Sequence, residues 1–276
     1  MVIEFFCVKI VGLNNKGDKI MIKEEVKVNE IIEGLQKYWN FRASTYSQSN
    51  IEELNNFKRD AWLKILLNNA PKKEKLKVLD VGAGPGFFSI LMSLVGHEVT
   101  AVDVSSEMIE NAKENAKEYD VNIDFVQVNG INLPFDDNSF DLIISRNVLW
   151  NLEYPKEALK EWKRLLNDEG RLIYFDGNWY LHLFDEKQNE KVKKDMENME
   201  ILYGYKEERT EQIEALEEIA KKLVLSKEVR PTWDVKALKE CGYKYIKVEE
   251  NMGKYVWDEK QNIEHKSRQL FMVIAE

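Results

Sequence analysis

The stretch Val78-Leu79-Asp80-Val81-Gly82-Ala83-Gly84-Pro85-Gly86 decides the fold. A run rich in leucine and β-branched residues leads into the glycines, and residues 87–95 follow with the pattern of a helix. Glycines let the main chain approach a ligand closely, and the amino end of a helix offers unpaired N–H groups to an anion. The stretch therefore predicts a strand, a tight turn and a helix, with a ligand site at the turn.

The same strand-and-helix alternation continues downstream. We predict strands at residues 98–102, 123–128, 140–144 and 171–175, helices at residues 106–119 and 156–166, and two closing strands at residues 243–248 and 270–275. Each crossover helix must bury its apolar stripe on the sheet, and crossovers are right-handed. The pattern is that of a doubly wound α/β fold with a mainly parallel sheet.

The remaining segments suggest additions around this core. Residues 1–20 are a possible extension, and residues 21–70 form amino-terminal cap helices: one over residues 29–39, then a loop with Arg42, Ser44, Tyr46 and Ser47, then a helix capped by Asn50. Residues 71–180 are the core. Residues 181–233 break the alternation and indicate an inserted cap of two helices, and residues 234–276 supply the last helix and the closing strands.

Composition excludes several classes of function. The 40 basic and 49 acidic residues give a net charge of −9, which repels a phosphate backbone, so no nucleic-acid partner is expected. The two cysteines are far apart and lack metal-ligand spacing, which favours no metal and a cytoplasmic location. The apolar run at residues 1–13 is short and carries charges, so we expect no membrane span.

A carboxylate gives the second functional signal. Asp103 ends the predicted second strand about twenty residues past the glycines, where it can accept hydrogen bonds from both ribose hydroxyls of a nucleoside. Val104 and Met108 are placed to flank an adenine ring. The alternative is that Asp103 only caps the next helix. A nicotinamide dinucleotide fingerprint requires glycine at the position of Phe87, so the spacing disfavours NAD.

These residues together resemble the class I S-adenosylmethionine-dependent methyltransferases of the small-molecule type. The segments at residues 132–135, 139–143 and 164–172 resemble further motifs of that family, in the family's order. The resemblance covers roughly residues 76–180. It implies a Rossmann-like, seven-stranded, mainly parallel sheet with an antiparallel last strand and a helical cap, S-adenosylmethionine as cofactor, and a small-molecule acceptor bound by a monomer or homodimer.

The resemblance also implies roles for particular residues. The glycine turn would line the methionine part of the cofactor, and Asp80 would lie near its amino group. Asn129 stands where the family usually has an aspartate facing the adenine amino group, and an asparagine oxygen can still accept that hydrogen bond. Arg146 and Asn147 would lie beneath the sulfonium, and Tyr46 resembles a lid tyrosine. The cofactor-binding residues predicted in this way are Tyr46, Asp80, Gly82, Ala83, Gly84, Gly86, Asp103, Val104, Met108, Asn129, Gly130 and Arg146.

Methyl transfer from a sulfonium needs alignment more than acid–base chemistry. Among the three histidines, His182 is the catalytic candidate, because it follows the fifth strand beside Tyr180, the second candidate; a polar residue at a helix start is the alternative. His97 is expected to be structural and His265 to lie on the surface. Aromatic residues near the strand ends, Trp150, Trp179, Tyr180 and Trp233, can wall a pocket or simply pack.

Three other functions stay open at this point. A nicotinamide-dependent oxidoreductase shares the topology. A non-catalytic module can bind S-adenosylmethionine without turnover. Transfer of the aminocarboxypropyl group from the same cofactor differs only in how the methionine part is presented.

Overall fold

The computed structural model describes residues 17–206 and 210–276. Its strands are β1 (Lys77–Val81), β2 (Glu98–Asp103), β3 (Asp124–Gln127), β4 (Phe140–Arg146), β5 (Leu166–Asp176), β6 (Ile246–Glu249) and β7 (Phe271–Ala275). Its helices are α1 (Gly17–Leu54), α2 (Phe57–Asn69), α3 (Phe87–Leu94), α4 (Ser106–Glu118), α5 (Pro155–Leu165), α6 (Glu186–Tyr203), α7 (Glu211–Ala220), α8 (Thr232–Glu240), α9 (Gly253–Val256) and α10 (Glu259–Glu264).

The strands form one sheet in the order β3-β2-β1-β4-β5-β7-β6. β1 to β5 pair in parallel, and β7 is antiparallel to both β5 and β6. The strand order reverses between β1 and β4, so the carboxyl ends of β1, β2 and β4 open a crevice there. The predicted doubly wound fold, with seven strands and an antiparallel last strand, is confirmed.

Apolar layers cover both faces of the sheet. On one face Trp62 of α2 and Phe88 of α3 pack with Phe175 of β5, with ring centroids between 4.8 and 5.6 Å apart. On the other face α5 contributes Trp162, which is fully buried and joins the cluster that holds Tyr174. Burying each such aromatic side chain stabilises the fold by roughly 2–3 kcal/mol.

The amino-terminal prediction was wrong in two respects. The segment with Arg42 and Ser47 is not a loop, because α1 runs without a break through it and Ser47 bonds across to Asn115 of α4. The next helix begins at residue 57 with Asn56 as its cap, not Asn50, whose side-chain amide donates to the carbonyl of Tyr46. Residues 1–16 of the predicted extension lie outside the described residues, and the last four residues of that extension begin α1.

Elsewhere the boundaries move and two elements are new. β5 begins at residue 166, five residues before the predicted start, because residues 166–170 continue its pairing beside β4. The closing segment contains the short helices α9 and α10, which were not predicted, and β6 begins three residues late. Two inserted helices, α6 and α7, are confirmed. The division into a core, two caps and a closing unit stays a prediction.

No helix in the described part of the chain combines the length and apolar character needed to cross a bilayer. Within residues 17–206 and 210–276 there is also no group of three or more His, Cys, Asp or Glu side chains placed to hold a metal ion.

Candidate active site

The glycine turn joins β1 to α3 and is held by main-chain hydrogen bonds. The amides of Gly82 and Ala83 donate to the carbonyl of Val102 at 2.8 and 3.0 Å. Gly82 has φ +66°, and a Cβ atom there would lie 2.3 Å from Val148 Cγ2, so no side chain fits. At Gly84, with φ +54°, an added Cβ atom would lie 3.6 Å from the Tyr46 ring and 4.0 Å from Met108 Sδ. The turn therefore presents bare main chain, as a ligand cradle requires.

Asp103 closes one side of this cradle. It is only 9% exposed at the end of β2, and its two carboxylate oxygens accept hydrogen bonds from the amides of Gly84 and Ser105, at 2.8 and 2.9 Å. Burial raises the pKa of this carboxyl. A carboxylate has about four acceptor positions, so capacity remains for two hydroxyl donors. The arrangement fits the ribose of an adenosyl group.

A single cavity lies over these strand ends and encloses about 890 Å³ of empty space, part of it continuous with solvent. We call its strand-end side the floor and the helical side, residues 32–53 of α1, the roof. The cavity is lined by Ile32, Leu35, Trp39 and Tyr46 of the roof and by Gly82, Gly84, Asp103, Val104, Met108, Val128, Asn129, Gly130, Ile131, Arg146, Asn147, Val148, Asn151, Leu152 and Glu153 of the floor.

Side-chain hydrogen bonds attach the roof to the core. Gln36 donates to the carbonyl of Val104 at 3.2 Å, and Asn40 accepts from the hydroxyl of Ser105, the N-cap of α4, at 2.6 Å. About two turns further along α1, Ser47 and Asn115 of α4 bond to each other. The continuous α1 thus lies across the crevice and places Tyr46 against Gly84.

Arg146, the last residue of β4, makes the strongest link to the roof. Its guanidinium donates to Glu53 at 2.8 Å and to Asn50 at 3.2 Å, and it lies 4.6 Å above the Phe87 ring. Both side chains of the Arg146–Glu53 pair are largely buried, so neither charge is well solvated. Arg146 lines the cavity as predicted, but its charge is compensated within the protein.

The cavity gathers most of the predicted cofactor residues and leaves out three. Asp80, Ala83 and Gly86 are not among its lining residues in the described chain. Asp80 is 2% exposed and accepts a 2.6 Å hydrogen bond from Ser89, while burial raises the pKa of its carboxyl to about 7. At Gly86 a Cβ atom would lie 3.3 Å from Ala112 Cβ, which shows a need for close packing of α3 on α4.

The acceptor predicted at Asn129 is engaged in its own loop, and a second acceptor, Glu153, lines the same cavity. The Asn129 side-chain oxygen accepts from the amides of Ile131 and Asn132 at 3.2 and 3.3 Å, so it serves its own loop. Glu153 was not predicted. It lines the same cavity, and its Oε2 atom is buried with no partner in the described residues. Its position in the loop after β4 carried no sequence signal for the site.

The two catalytic candidates lie in the segment between β5 and α6. His182 and Tyr180 stack with ring centroids 6.1 Å apart, Tyr180 packs on Trp150, and neither residue is among those found to line the cavity. Burial lowers the pKa of His182 and raises that of the Tyr180 hydroxyl. Catalytic roles for both stay predictions. His265 is not on the surface: it is half-buried, 5.0 Å from the Trp257 ring, and burial lowers its pKa to about 4.

A buried ionic cluster fixes the cap side of the sheet. Asp176, at the end of β5, pairs with Arg230 at 2.6 Å, and Arg230 also pairs with Asp234 of α8; all three side chains are fully buried. Asp176 further accepts from the amide of Trp150 and the indole N–H of Trp179. One carboxylate therefore ties together the loop after β4, the loop after β5 and the segment before α8.

Comparison with known proteins agrees with this geometry. Residues 79–174 match the family model described as a methyltransferase domain. The uncharacterized methyltransferase YcgJ of Bacillus subtilis is 34% identical over 115 residues, which cover 41% of this chain and 46% of that protein. The demethylmenaquinone methyltransferase of Staphylococcus haemolyticus is 36% identical over 132 residues, covering 45% and 55%. The chain thus spans about half the length of the curated relatives it matches.

A solved structure shows the same fold over more of the chain. The S-adenosylmethionine-dependent methyltransferase from Aquifex aeolicus superposes with a TM-score of 0.51 at 23% identity, covering 82% of this chain and 96% of that one. Sequence and fold agree: residues 79–174 match a methyltransferase domain, and the chain shares the fold of a solved S-adenosylmethionine-dependent methyltransferase.

Proposed function

We propose that this chain transfers the methyl group of S-adenosylmethionine to a small-molecule acceptor held between floor and roof. The observation that carries the proposal is the buried Asp103 carboxylate bound to the bare glycine turn inside one cavity. The cavity combines a hydroxyl-binding carboxylate, an exposed main chain and an apolar slot. We further propose a cytoplasmic protein.

The floor residues divide the cofactor among them. Asp103 receives the ribose hydroxyls, and Gly82 and Gly84 leave room for the methionine part. Val104 and Met108 supply apolar surface for the adenine ring. Because the Asn129 oxygen is already engaged, the free Glu153 oxygen is the better acceptor for the adenine amino group.

S-adenosylmethionine supplies a methyl group that is already activated on a sulfonium with a neutral leaving group. The residues of the chain then need to orient the acceptor in line with the methyl group and exclude water. Helix α1 can do the second task, because it covers the crevice and is attached to α4 and β4. Local acid groups such as Asp103 and Glu153 also suit a cationic cofactor.

Calorimetry with S-adenosylmethionine, S-adenosylhomocysteine and NAD tests the proposal. We expect the first two to bind and NAD not to bind. D103A should weaken S-adenosylhomocysteine at least about thirtyfold, since hydrogen bonds to a charged acceptor contribute about 1.5–3 kcal/mol each. D103N keeps the side-chain volume and should also bind weakly, while D136A, at an exposed aspartate, is the control. NAD binding, or unchanged affinity in both Asp103 variants, would overturn the assignment.

The Glu153 role has its own ligand pair. S-inosylhomocysteine differs from S-adenosylhomocysteine in carrying a carbonyl oxygen in place of the adenine amino group. The wild type should prefer the adenosyl compound about tenfold or more, and E153Q should lose that preference because its amide can donate to the carbonyl. N129D, which keeps both main-chain hydrogen bonds of its loop, should leave the preference unchanged. A preference that follows Asn129 instead would refute the role of Glu153.

Labelled-methyl transfer separates catalysis from mere binding. Incubation of the protein and labelled cofactor with a metabolite extract should label small molecules. Reduced quinones should be tested as separate acceptors, because the Staphylococcus haemolyticus relative is a demethylmenaquinone methyltransferase. Binding without any labelled product would favour the non-catalytic module. Label in RNA or protein would overturn the small-molecule class.

A further inference from the structure

Asn147 combines three unusual features at one end of the cavity. It follows β4 directly with a left-handed backbone, φ +60°, and its amide donates to the carbonyl of Phe175 at 2.8 Å. Its side-chain oxygen is buried and has no partner in residues 17–206 and 210–276. Leaving such an atom unsatisfied costs about 1–3 kcal/mol. A left-handed residue with an unused buried oxygen in a cavity wall indicates a ligand contact.

The roof supplies the complementary atom. Trp39 of α1 lines the same cavity, and its indole nitrogen is buried with no partner in the described part of the chain. Its ring lies 5.9 Å from Tyr46, which in turn covers Gly84. Ile32 and Leu35 line the roof beside it. This wall therefore offers an aromatic and aliphatic surface with one buried donor, the Trp39 indole N–H, that has no partner in the described residues.

Neither atom takes part in the proposed contacts to the ribose and the adenine ring. The ammonium group of the methionine part is one further donor at this end of the cavity, and the cofactor measurement below tests whether it uses the Asn147 oxygen. Asp103 and Glu153 already account for the ribose hydroxyls and the adenine amino group. Asn147 is adjacent to Val148, which packs at the Gly82 end of the glycine turn, away from the adenine slot of Val104 and Met108. An acceptor atom and a donor atom thus remain at the end where the methyl acceptor has to enter.

Resting on the proposed function, we propose that the methyl acceptor is a flat apolar molecule carrying a hydroxyl group, which donates to Asn147 Oδ1 and accepts from the Trp39 indole N–H. A hydroxyl is the smallest neutral group that does both through a single oxygen atom. An ammonium group only donates, and an ether or a carbonyl only accepts. Asn147 then selects the acceptor by its hydrogen-bond donor, and Trp39 positions the ring.

A matched probe pair tests the donor requirement without knowledge of the natural acceptor. 2-Naphthol and 2-methoxynaphthalene share their rings, but only the first can donate. Titrated by fluorescence into the complex with S-adenosylhomocysteine, the naphthol should bind at least about fivefold more tightly, because the ether leaves the Asn147 oxygen unsatisfied. Equal affinities, or no binding of either probe, would overturn the proposal.

Variants assign the effect to the two side chains. N147G tolerates the left-handed backbone and removes the oxygen, so it should erase the preference, whereas N147D keeps an acceptor and should retain it. A role limited to the turn would leave N147G unchanged and would refute the proposal. W39F should weaken both probes about equally, because the ether oxygen also accepts from the indole; unchanged binding of both would refute the Trp39 contact.

The cofactor measurement keeps the two proposals apart. The proposal requires that each variant bind S-adenosylhomocysteine within about threefold of the wild type. A larger loss in N147G would assign the Asn147 oxygen to the methionine ammonium group and refute its contact with the acceptor. Failure of the wild type to bind that compound removes the proposed function. Normal binding of it together with indifference to the probe pair removes only the acceptor class.

Discussion

The floor and the roof of the cavity are built in different ways. The floor is main chain at the ends of parallel strands, with Gly82, Gly84 and Asp103 held by hydrogen bonds inside the sheet and its turns. The roof is one long helix that reaches the core through side chains such as Asn40, Ser47 and Glu53. The floor therefore keeps its geometry whenever the sheet is folded, while the roof can detach locally. A cofactor can enter by loss of a few roof contacts without disruption of the sheet.

The largest expected effect lies in the floor. G82A forces a side chain into a left-handed position and within 2.3 Å of Val148 Cγ2, so we expect a loss of about 3 kcal/mol in the free energy of unfolding and loss of cofactor binding. G96A is the matched control, because Gly96 has φ +91° but no atom within 4 Å of the added Cβ, and it should cost about 1 kcal/mol. Urea unfolding measures both. Equal losses of stability in G82A and G96A would contradict a steric clash between the added Cβ of residue 82 and Val148.

A second effect sharpens the comparison through pH. Because burial raises the pKa of Asp80 to about 7 from 3.8, the unfolded chain releases this proton at lower pH than the folded one. The Asp80 contribution is therefore fully present below about pH 4 and is lost as pH rises towards 7, at up to roughly 1.4 kcal/mol per pH unit. Relative to wild type, D80N should become more stable by about 2 kcal/mol between pH 5 and pH 7. Parallel stability curves in urea unfolding would contradict this prediction.

The smallest effect should come from the roof. E53Q removes the charge that pairs with Arg146 but keeps a side-chain oxygen that can accept the same hydrogen bond, and Asn50 still accepts from the guanidinium, so we expect a cost of about 1 kcal/mol. Amide hydrogen exchange should accelerate in residues 31–54 and stay unchanged in β1, since only the roof depends on this pair. E52Q, at an exposed position on the same helix, should exchange like the wild type. Faster exchange in the sheet as well would show that roof and floor unfold together.

The two regions also differ in how far the sequence predicts them. In the floor, the signals are local: the strand pattern ends at Val81, glycines follow at fixed spacing, and Asp103 ends the next strand. In the roof, Arg42 and Ser47 indicate a loop when considered alone. Their helix is stabilised by partners far along the chain, such as Asn115, 68 residues from Ser47, and Arg146, 93 residues from Glu53.

The same reason explains why Glu153 and Trp39 were not predicted as site residues, and why Asn147, which was expected beneath the sulfonium, was not predicted to have an unpaired oxygen. Glu153, Trp39 and Asn147 matter because buried polar atoms lack partners, and that property depends on everything packed around them. From its position in the family motif we expected the Asn129 oxygen to be available to adenine, but the amides of its own loop donate to it. Tertiary packing determines whether a buried polar atom is paired, and a local sequence pattern does not show it.

The Asp176 carboxylate accepts hydrogen bonds from three separate segments of the chain, and the fully buried Arg230 guanidinium pairs with it. These segments include Trp150 and Trp179, so a single carboxylate positions both of these aromatic residues. Efforts to retune acceptor choice by loop exchange will succeed only if the transplanted loop brings an N–H group to that anion, and a graft that omits it will leave a buried acceptor unpaired.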